Sequence, residues 1–318
     1  MENQIKYTFL LPAYKPDFFE EALRSIKDQT YSDFKVLVSD DCSPHDLKSI
    51  YNKVCGDDAR FSYRRNEVNM GSKSLVSHWN LLVDMCDTEY FILASDDDVY
   101  EPTFLEEVDK LAKKYPEVDL IRARCKKINE KGDVLFQDVP LQEKVAQVEF
   151  TSQIFYNNVI QCIANYVFKK DVLKSFGGFV DFPLAWFSDT ATVLNLSNHS
   201  VVNTKDILFC FRHSTQNISF RGETKKTNYK KALAATLFRT WFSRYMDVLN
   251  THKKLSVSDS YLIPLIKRNS KTYIDWMVLV YIRGCKLTDF CRLVLKQPEV
   301  ILKFESLYLF LRSYIHFR

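Results

Sequence analysis

No apolar run in this chain is long enough to cross a bilayer. The longest, Met277 to Ile282 behind Trp276, falls far short of the roughly 20 residues a spanning helix needs. The opening Met1-Glu2-Asn3-Gln4 has no basic cluster and leads straight into the apolar stretch Tyr7 to Leu11, so a signal peptide is not expected. Paired CxxC cysteines are missing as well. Cys42, Cys55, Cys86, Cys125, Cys162, Cys210, Cys285 and Cys291 follow neither a zinc spacing nor a disulfide framework, and a reducing cytoplasm suits them best. Charge of one sign is not in excess. With 44 basic against 40 acidic residues and a net charge of +4, composition gives no reason to expect a nucleic-acid partner. Internal repeats and low-complexity segments are absent. There is also no glycine-rich loop of the usual triphosphate-binding kind, which argues against a nucleotidyltransferase.

What is present is the composition of an ordinary folded protein, 46% hydrophobic over 318 residues, enough for one large domain and a smaller appendage. The first 125 residues alternate short apolar runs with amphipathic stretches. Strands are predicted at Tyr7 to Leu11, Phe34 to Ser39, Phe61 to Arg64, Tyr90 to Ala94 and Asp119 to Arg124. Helices are predicted from Pro16-Asp17 with Phe19, Leu23 and Ile26 inward, near Asp46 to Val54, from about Ser72 to Met85, and from Pro102 to Lys114. Repeated βα units of this length imply an α/β fold with a mainly parallel sheet flanked by helices. Asn129-Glu130-Lys131-Gly132 reads as a hairpin turn, so the middle departs from strict alternation. A short helix is expected after Phe168, then the Gly177-Gly178 break, a helix at Ser188 to Leu196 and a strand at Ile207 to Phe211. Beyond Thr224 long helical stretches dominate, interrupted near Ser256 and Pro298. Two domains are expected, 1–222 and 223–318.

Three strands end in distinctive polar sequences: Leu11-Pro12-Ala13-Tyr14, Ser39-Asp40-Asp41-Cys42-Ser43 and Ala94-Ser95-Asp96-Asp97-Asp98. In an open α/β sheet ligands collect at such carboxyl ends. Three adjacent carboxylates repel one another unless a cation or strong donors compensate them. Oxygen-only ligands favour Mg²⁺ or Mn²⁺. Against this stand plain structural readings: Asp96-Asp97-Asp98 as a solvated turn capping the helix at Pro102, and Asp40-Asp41 as the cap of the next helix.

In their order and spacing these segments resemble glycosyltransferase family 2, inverting enzymes of the GT-A fold that use nucleotide-diphospho-sugars. The resemblance runs over roughly residues 6–220. It is carried by Leu10-Leu11-Pro12-Ala13-Tyr14, Ser25 to Tyr31, Val36 to Ser43, Asn69-Met70-Gly71 and the DxD-like Ala94 to Asp98. It implies that Pro12, Ala13 and Tyr14 line the nucleoside site and that Asp41 accepts a hydrogen bond from the base. It further implies that Asp96 approaches ribose or metal, while Asp97 and Asp98 meet metal and diphosphate. Three consecutive acids depart from the commoner spacing and leave two DxD registers open. Asn69 belongs to the donor site by the same resemblance, and Lys73, Arg64 or Arg65 could neutralise the diphosphate. Trp186-Phe187-Ser188-Asp189 is similar to the family segment that positions a catalytic carboxylate, making Asp189 the candidate general base; its plain alternative is a helix cap. His213, in the closing strand Phe211-Arg212-His213, is the third candidate metal ligand or else structural.

The resemblance implies Mn²⁺ or Mg²⁺ as cofactor, a nucleotide diphosphate sugar as donor and a glycan or lipid-linked acceptor in bacterial-type surface polysaccharide synthesis. No protein nucleophile is evident. The QxxRW motif of processive synthases is absent, which points to transfer of one or a few residues. A non-catalytic module binding nucleotide-sugars or glycans is the competing class. The aromatic and basic tail, with Lys225, Lys226, Lys230, Lys231, Trp241, Tyr245, Trp276, Tyr281, Phe304, Tyr308, Phe310 and Tyr314, suits the inner face of a plasma membrane, a homodimer contact or a packing layer. The expected location is the cytoplasm.

Overall fold

The computed structural model describes residues 5–215, 224–251, 256–296 and 298. Its elements in chain order are β1 (Tyr7–Ala13), α1 (Phe19–Lys27), β2 (Phe34–Asp40), α2 (Leu47–Cys55), β3 (Phe61–Arg65), α3 (Leu75–Met85), β4 (Tyr90–Leu93), β5 (Val99–Tyr100) and α4 (Phe104–Lys114). They continue with β6 (Leu120–Ile128), β7 (Val134–Gln137), β8 (Lys144–Val145), α5 (Gln147–Phe155), β9 (Tyr166–Lys169), α6 (Lys170–Ser175), α7 (Ser188–Leu196), β10 (Val201–Arg212), α8 (Lys225–Thr251), α9 (Val257–Arg283) and α10 (Leu287–Lys296).

The helices start where short polar side chains can take up orphan backbone donors. Asp46 accepts from the Ser49 N–H ahead of α2, and Ser74 from the Ser77 N–H ahead of α3. Ser256 and Asp259 form a reciprocal capping box at α9. The break after α6 needs its glycines: Gly177 and Gly178 both have φ near +90°, and a Cβ on Gly178 would stand 2.6 Å from Asn80 Oδ1.

The chain divides into two compact units, Met1–Val180 with Thr192–Ser214, and Asp181–Ala191 with Thr215–Arg318. Residues Asp181–Ala191, which the sequence reading assigns to the first domain, group with the C-terminal helices. The boundary expected near residue 222, the loop at Ile218 and Ser219, and the ending from Leu307 to Arg318 lie outside the described residues.

The first unit is a mostly parallel sheet in the order β3-β2-β1-β4-β9-β6-β10-β5, with β7 on β6 and β8 on β10. Strands β3, β2, β1 and β4 run parallel. The hairpin expected at Asn129 to Gly132 joins β6 to β7, which pair antiparallel, and a further departure is β9, which enters antiparallel to both β4 and β6. β1 is central and buried on both faces, and Phe9 meets the rings of Phe34, Tyr100 and Phe104 at 5.7, 5.1 and 6.1 Å. Burying rings of this size stabilises the sheet by about 1.5–3 kcal/mol each. The second unit packs α8 and α9 around aromatic side chains. Phe187 stacks on Phe238 with centroids 4.5 Å apart, and Trp186 meets Tyr281 edge-on at 5.7 Å. None of the eight cysteines is joined in a disulfide among the described residues. Among the described residues no helix is long and apolar enough to cross a membrane.

Candidate active site

The pairing of β1 with β4 stops at Leu10 and Leu93, whereas its pairing with β2 continues to Ala13 and Asp40. Beyond Leu10 one edge of β1 therefore needs no ladder partner, and Pro12, which has no N–H, fits there. The segment Ala94–Asp98 runs along this edge before β5 pairs with β10. β5 begins at Val99, six residues after Leu93, so the three acids lie in the segment that joins β4 to β5.

The acids are not solvated. Asp96, Asp97 and Asp98 are 5%, 6% and 2% exposed, and α4 begins only after Thr103, so they do not cap it. Each has internal donors. Asp96 Oδ2 accepts the backbone N–H groups of Tyr14 and Lys15 at 2.8 and 2.7 Å. The Lys15 ammonium lies 3.1 Å from Asp96 Oδ1 and also bonds Asp97 Oδ2. Ser95 Oγ lies 2.7 Å from both Asp97 Oδ1 and Asp98 Oδ2, and the Arg212 N–H donates to Asp98 Oδ1 at 2.8 Å. Burial together with the neighbouring Asp97 charge pushes the Asp98 carboxyl up to about 8. For Lys15 burial pulls the ammonium down, but Asp96 and Asp97 outweigh it and its pKa rises, so it stays a cation.

The second strand end is held in the same way. Asp46, not Asp40 or Asp41, caps α2. Asp40 accepts from the Ser43 N–H and the Tyr63 hydroxyl and pairs with Arg65. Asp41 Oδ1 accepts from Asn66 Nδ2 and the Met70 N–H, both at 2.8 Å, while Oδ2 accepts from the Gly71 N–H at 2.7 Å. Asn69 Oδ1 closes the turn by accepting from the Ser72 N–H at 2.7 Å. Ser43 Oγ donates to the Tyr14 carbonyl at 2.7 Å, tying β1 and β2 ends together. The structure thus joins Tyr14, Asp96, Asp97 and Asp98 in one network, with Pro12 and Ala13 on the strand that leads into it, and gathers Asn69 around Asp41 through the Met70–Gly71 turn. Lys73 is exposed. Arg65 is engaged by Asp40 and the Ser43 carbonyl, and Arg64 reaches Met85.

Among the described residues no group of three His, Cys, Asp or Glu side chains is arranged to hold a metal ion. Asp97, Asp98 and His213 are not gathered into one ligand shell. Lys15 bonds Asp97 Oδ2, and Asp98 accepts from the Ser95 hydroxyl and the Arg212 backbone N–H. His213 donates its own N–H to the Ile128 carbonyl at 2.7 Å, and partial burial together with nearby Lys127 holds its imidazole below the usual value.

In the second unit Asp189 stands in the first turn of α7, where its Oδ1 accepts from the Thr190 N–H at 2.7 Å. Burial pushes its carboxyl up to about 6. The segment leading into it is strained. Leu184, Ala185 and Phe187 have φ of 62°, 54° and 68°, a left-handed conformation that non-glycine residues adopt at a cost. Tyr273 lies close enough for the Asp189 charge to raise its phenol, after burial itself. Trp186 Nε1 is buried without an acceptor among the described residues, and the Lys231 ammonium sits 4.5 Å over the Trp186 ring. Sequence reasoning passed over Lys15, Ser95, Asn66 and Arg212. Only Lys15 carried a signal, since it directly follows Tyr14.

The model of the family described as glycosyl transferase family 2 matches residues 8–177, and the chain belongs to that family. Protein CgeD of Bacillus subtilis (strain 168) is 22% identical over 188 residues, which cover 55% of this chain and 42% of CgeD. The uncharacterized glycosyltransferase MJ1057 of Methanocaldococcus jannaschii is 23% identical over 158 residues, 49% of this chain and 52% of that protein. The chain thus spans about half the length of the curated relatives it matches. Among solved structures, S. aureus TarS 1–349 in complex with UDP-GlcNAc aligns with a TM-score of 0.66 at 14% identity, covering 97% of this chain and 89% of that one. The mannosyltransferase PcManGT from Pyrobaculum calidifontis, in complex with GDP-Man and Mn²⁺, aligns with a TM-score of 0.53 at 12% identity, covering 97% and 84%. At such identities the likeness shows the fold, which is GT-A.

Proposed function

We propose that this chain is an inverting glycosyltransferase that moves a sugar from a nucleotide diphosphate donor to a hydroxyl of a glycan or lipid-linked acceptor, in the building of a surface polysaccharide. The observation that carries the reading is the buried polar network at three adjacent strand ends, Pro12 to Lys15, Asp40 to Ser43 and Ser95 to Asp98. A network of this kind is costly to bury and is retained where a polar ligand binds. The donor class is supported by the UDP-GlcNAc and GDP-Man present in the structural neighbours. The surface-glycan role and a place at the inner face of the membrane rest on family likeness alone.

The reaction is a single displacement. The acceptor oxygen bonds to the anomeric carbon as the bond from that carbon to the diphosphate breaks, the configuration inverts, and the acceptor proton passes to a base. Asp189 is the proposed base, because a half-buried carboxyl poised near 6 accepts a proton at neutral pH better than an ordinary one. Backbone and side-chain donors around Pro12, Tyr14 and Asn69 position the nucleoside. Mn²⁺ or Mg²⁺ is the ion that family likeness suggests, and one neighbour was solved with Mn²⁺. No step is assigned to an ion, since Lys15 stands at the carboxylates it would use.

A panel of nucleotide sugars in a thermal-shift experiment tests the reading, because a ligand that binds the native state raises its melting temperature. UDP-GlcNAc or GDP-mannose, or another donor of that class, should stabilise the chain and release its nucleotide slowly into water. Stabilisation without turnover toward any acceptor would favour the binding module. A panel that leaves the melting temperature unmoved would end the proposal.

A further inference from the structure

A run of three carboxylates calls for a positive charge, and the chain brings one of its own. Lys15 Nζ touches Asp96 Oδ1 at 3.1 Å and Asp97 Oδ2, while its backbone N–H holds Asp96 Oδ2 at 2.7 Å. Backbone and side chain of one residue thus both hold Asp96, and the side chain also holds Asp97. The lysine follows β1 by two positions, and the Tyr14 N–H bonds the same Asp96 oxygen, so its backbone cannot withdraw without opening both bonds. Its side chain is 19% exposed, against 7% and 8% for its partners, which leaves the cation at the open end of the cluster.

A divalent ion of the Mg²⁺ or Mn²⁺ kind needs carboxylate oxygens at about 2.0–2.2 Å. An ammonium in contact with those oxygens excludes the ion by volume and by like charge. No three-ligand group exists among the described residues to outbid it. We propose that Lys15 is a tethered cation that stands at Asp96 and Asp97 in place of a divalent metal, so that these carboxylates bind no metal while the lysine is there. The inference rests on the nucleotide-sugar reading only for the purpose of the charge, which is to meet a donor diphosphate; the metal behaviour stands apart from it.

The test titrates the full chain with MnCl₂ and follows the electron paramagnetic resonance signal of free Mn²⁺, with no nucleotide present. Wild type should leave Mn²⁺ free up to about 1 mM, weaker than a dedicated oxygen site. Lys15→Met removes the charge and keeps the stem, and should bind Mn²⁺ at least ~10-fold tighter. Lys15→Met combined with Asp97→Asn should lose that gain, and Lys15→Arg should exclude the ion as wild type does. If Lys15→Met does not fold, Lys15→Gln takes its place. Tight Mn²⁺ binding by wild type that disappears in Asp97→Asn would overturn the proposal. So would a Lys15 variant, neutral and folded, that binds Mn²⁺ no better than wild type. Neither result touches nucleotide-sugar binding, which the thermal-shift panel decides separately.

Discussion

The Gly71 N–H donates to Asp41 Oδ2 over 2.7 Å, and a Cβ on Gly71 would stand 3.0 Å from that same oxygen. Asp41 also accepts from Asn66 and Met70. Both its oxygens are therefore committed to holding the Asn69-Met70-Gly71 turn. A base-contacting role for Asp41 has to be exercised by a carboxylate already fixed in place, which lowers the ordering cost of binding.

Asp41→Asn should destabilise the chain by about 2 kcal/mol. An amide cannot accept from three donors on two sides, so its NH₂ would face the N–H of Gly71 or the donors on the other oxygen, leaving a buried group unpaired. Urea denaturation should show a lower midpoint with an unchanged slope. An unaltered midpoint would mean that the turn holds without the carboxylate.

Asp189→Asn should spare donor affinity and lower transfer. Loss of a general base typically costs about 10²–10⁴-fold in rate. Calorimetry with the donor and single-turnover transfer at saturating donor separate the two effects. Wild-type transfer should also rise with pH through about 6, the region to which burial moves this carboxyl, and the Asn variant should lack that limb. Near-normal transfer by Asp189→Asn would remove Asp189 from the mechanism.

The same group gives a stability test of opposite sense. Its carboxyl is raised from 3.8 to about 6 by burial, so the folded state favours the neutral form. The contribution is fully present below the unfolded value and is lost as pH rises through about 6. A displacement of this size corresponds to on the order of 3 kcal/mol. Asp189→Asn is neutral throughout, so at pH 8 it should melt above wild type, and the gap should close toward pH 4. A variant less stable than wild type at pH 8 would show that the carboxylate is better accommodated than its burial implies.

Arg212→Met should cost about 3 kcal/mol, within the range for removing one partner of a buried charged contact. The guanidinium is 1% exposed, donates from Nε to the Asp97 carbonyl at 2.8 Å and lies 4.3 Å over the Phe18 ring. Arg212→Lys keeps the charge but not the fork, and should recover only part of the loss. Chemical denaturation of the three proteins checks the order. Equal midpoints would show that the acid loop is held by β5 pairing alone.

Much of the scaffold is written in local chemistry. The apolar run at Tyr7, the caps at Asp46 and Ser74, and the turn at Asn129 to Gly132 act over a few residues, so their elements could be read without a fold. The same holds for the acids of Asp96-Asp97-Asp98 at the end of β4, because a strand followed by charge is visible in order alone. Contacts over long separations are not. The antiparallel entry of β9 depends on which strands are left with open edges. The grouping of Asp181–Ala191 with the helices depends on where Phe187 and Trp186 find their aromatic partners. The cation at the acid cluster is the sharpest case. Spacing could show that three carboxylates need compensation, but Lys15 is about 80 residues from them in the chain. Only the parallel pairing of β1 with β4 brings it there, because two neighbouring parallel strands deliver their trailing loops to the same end of the sheet.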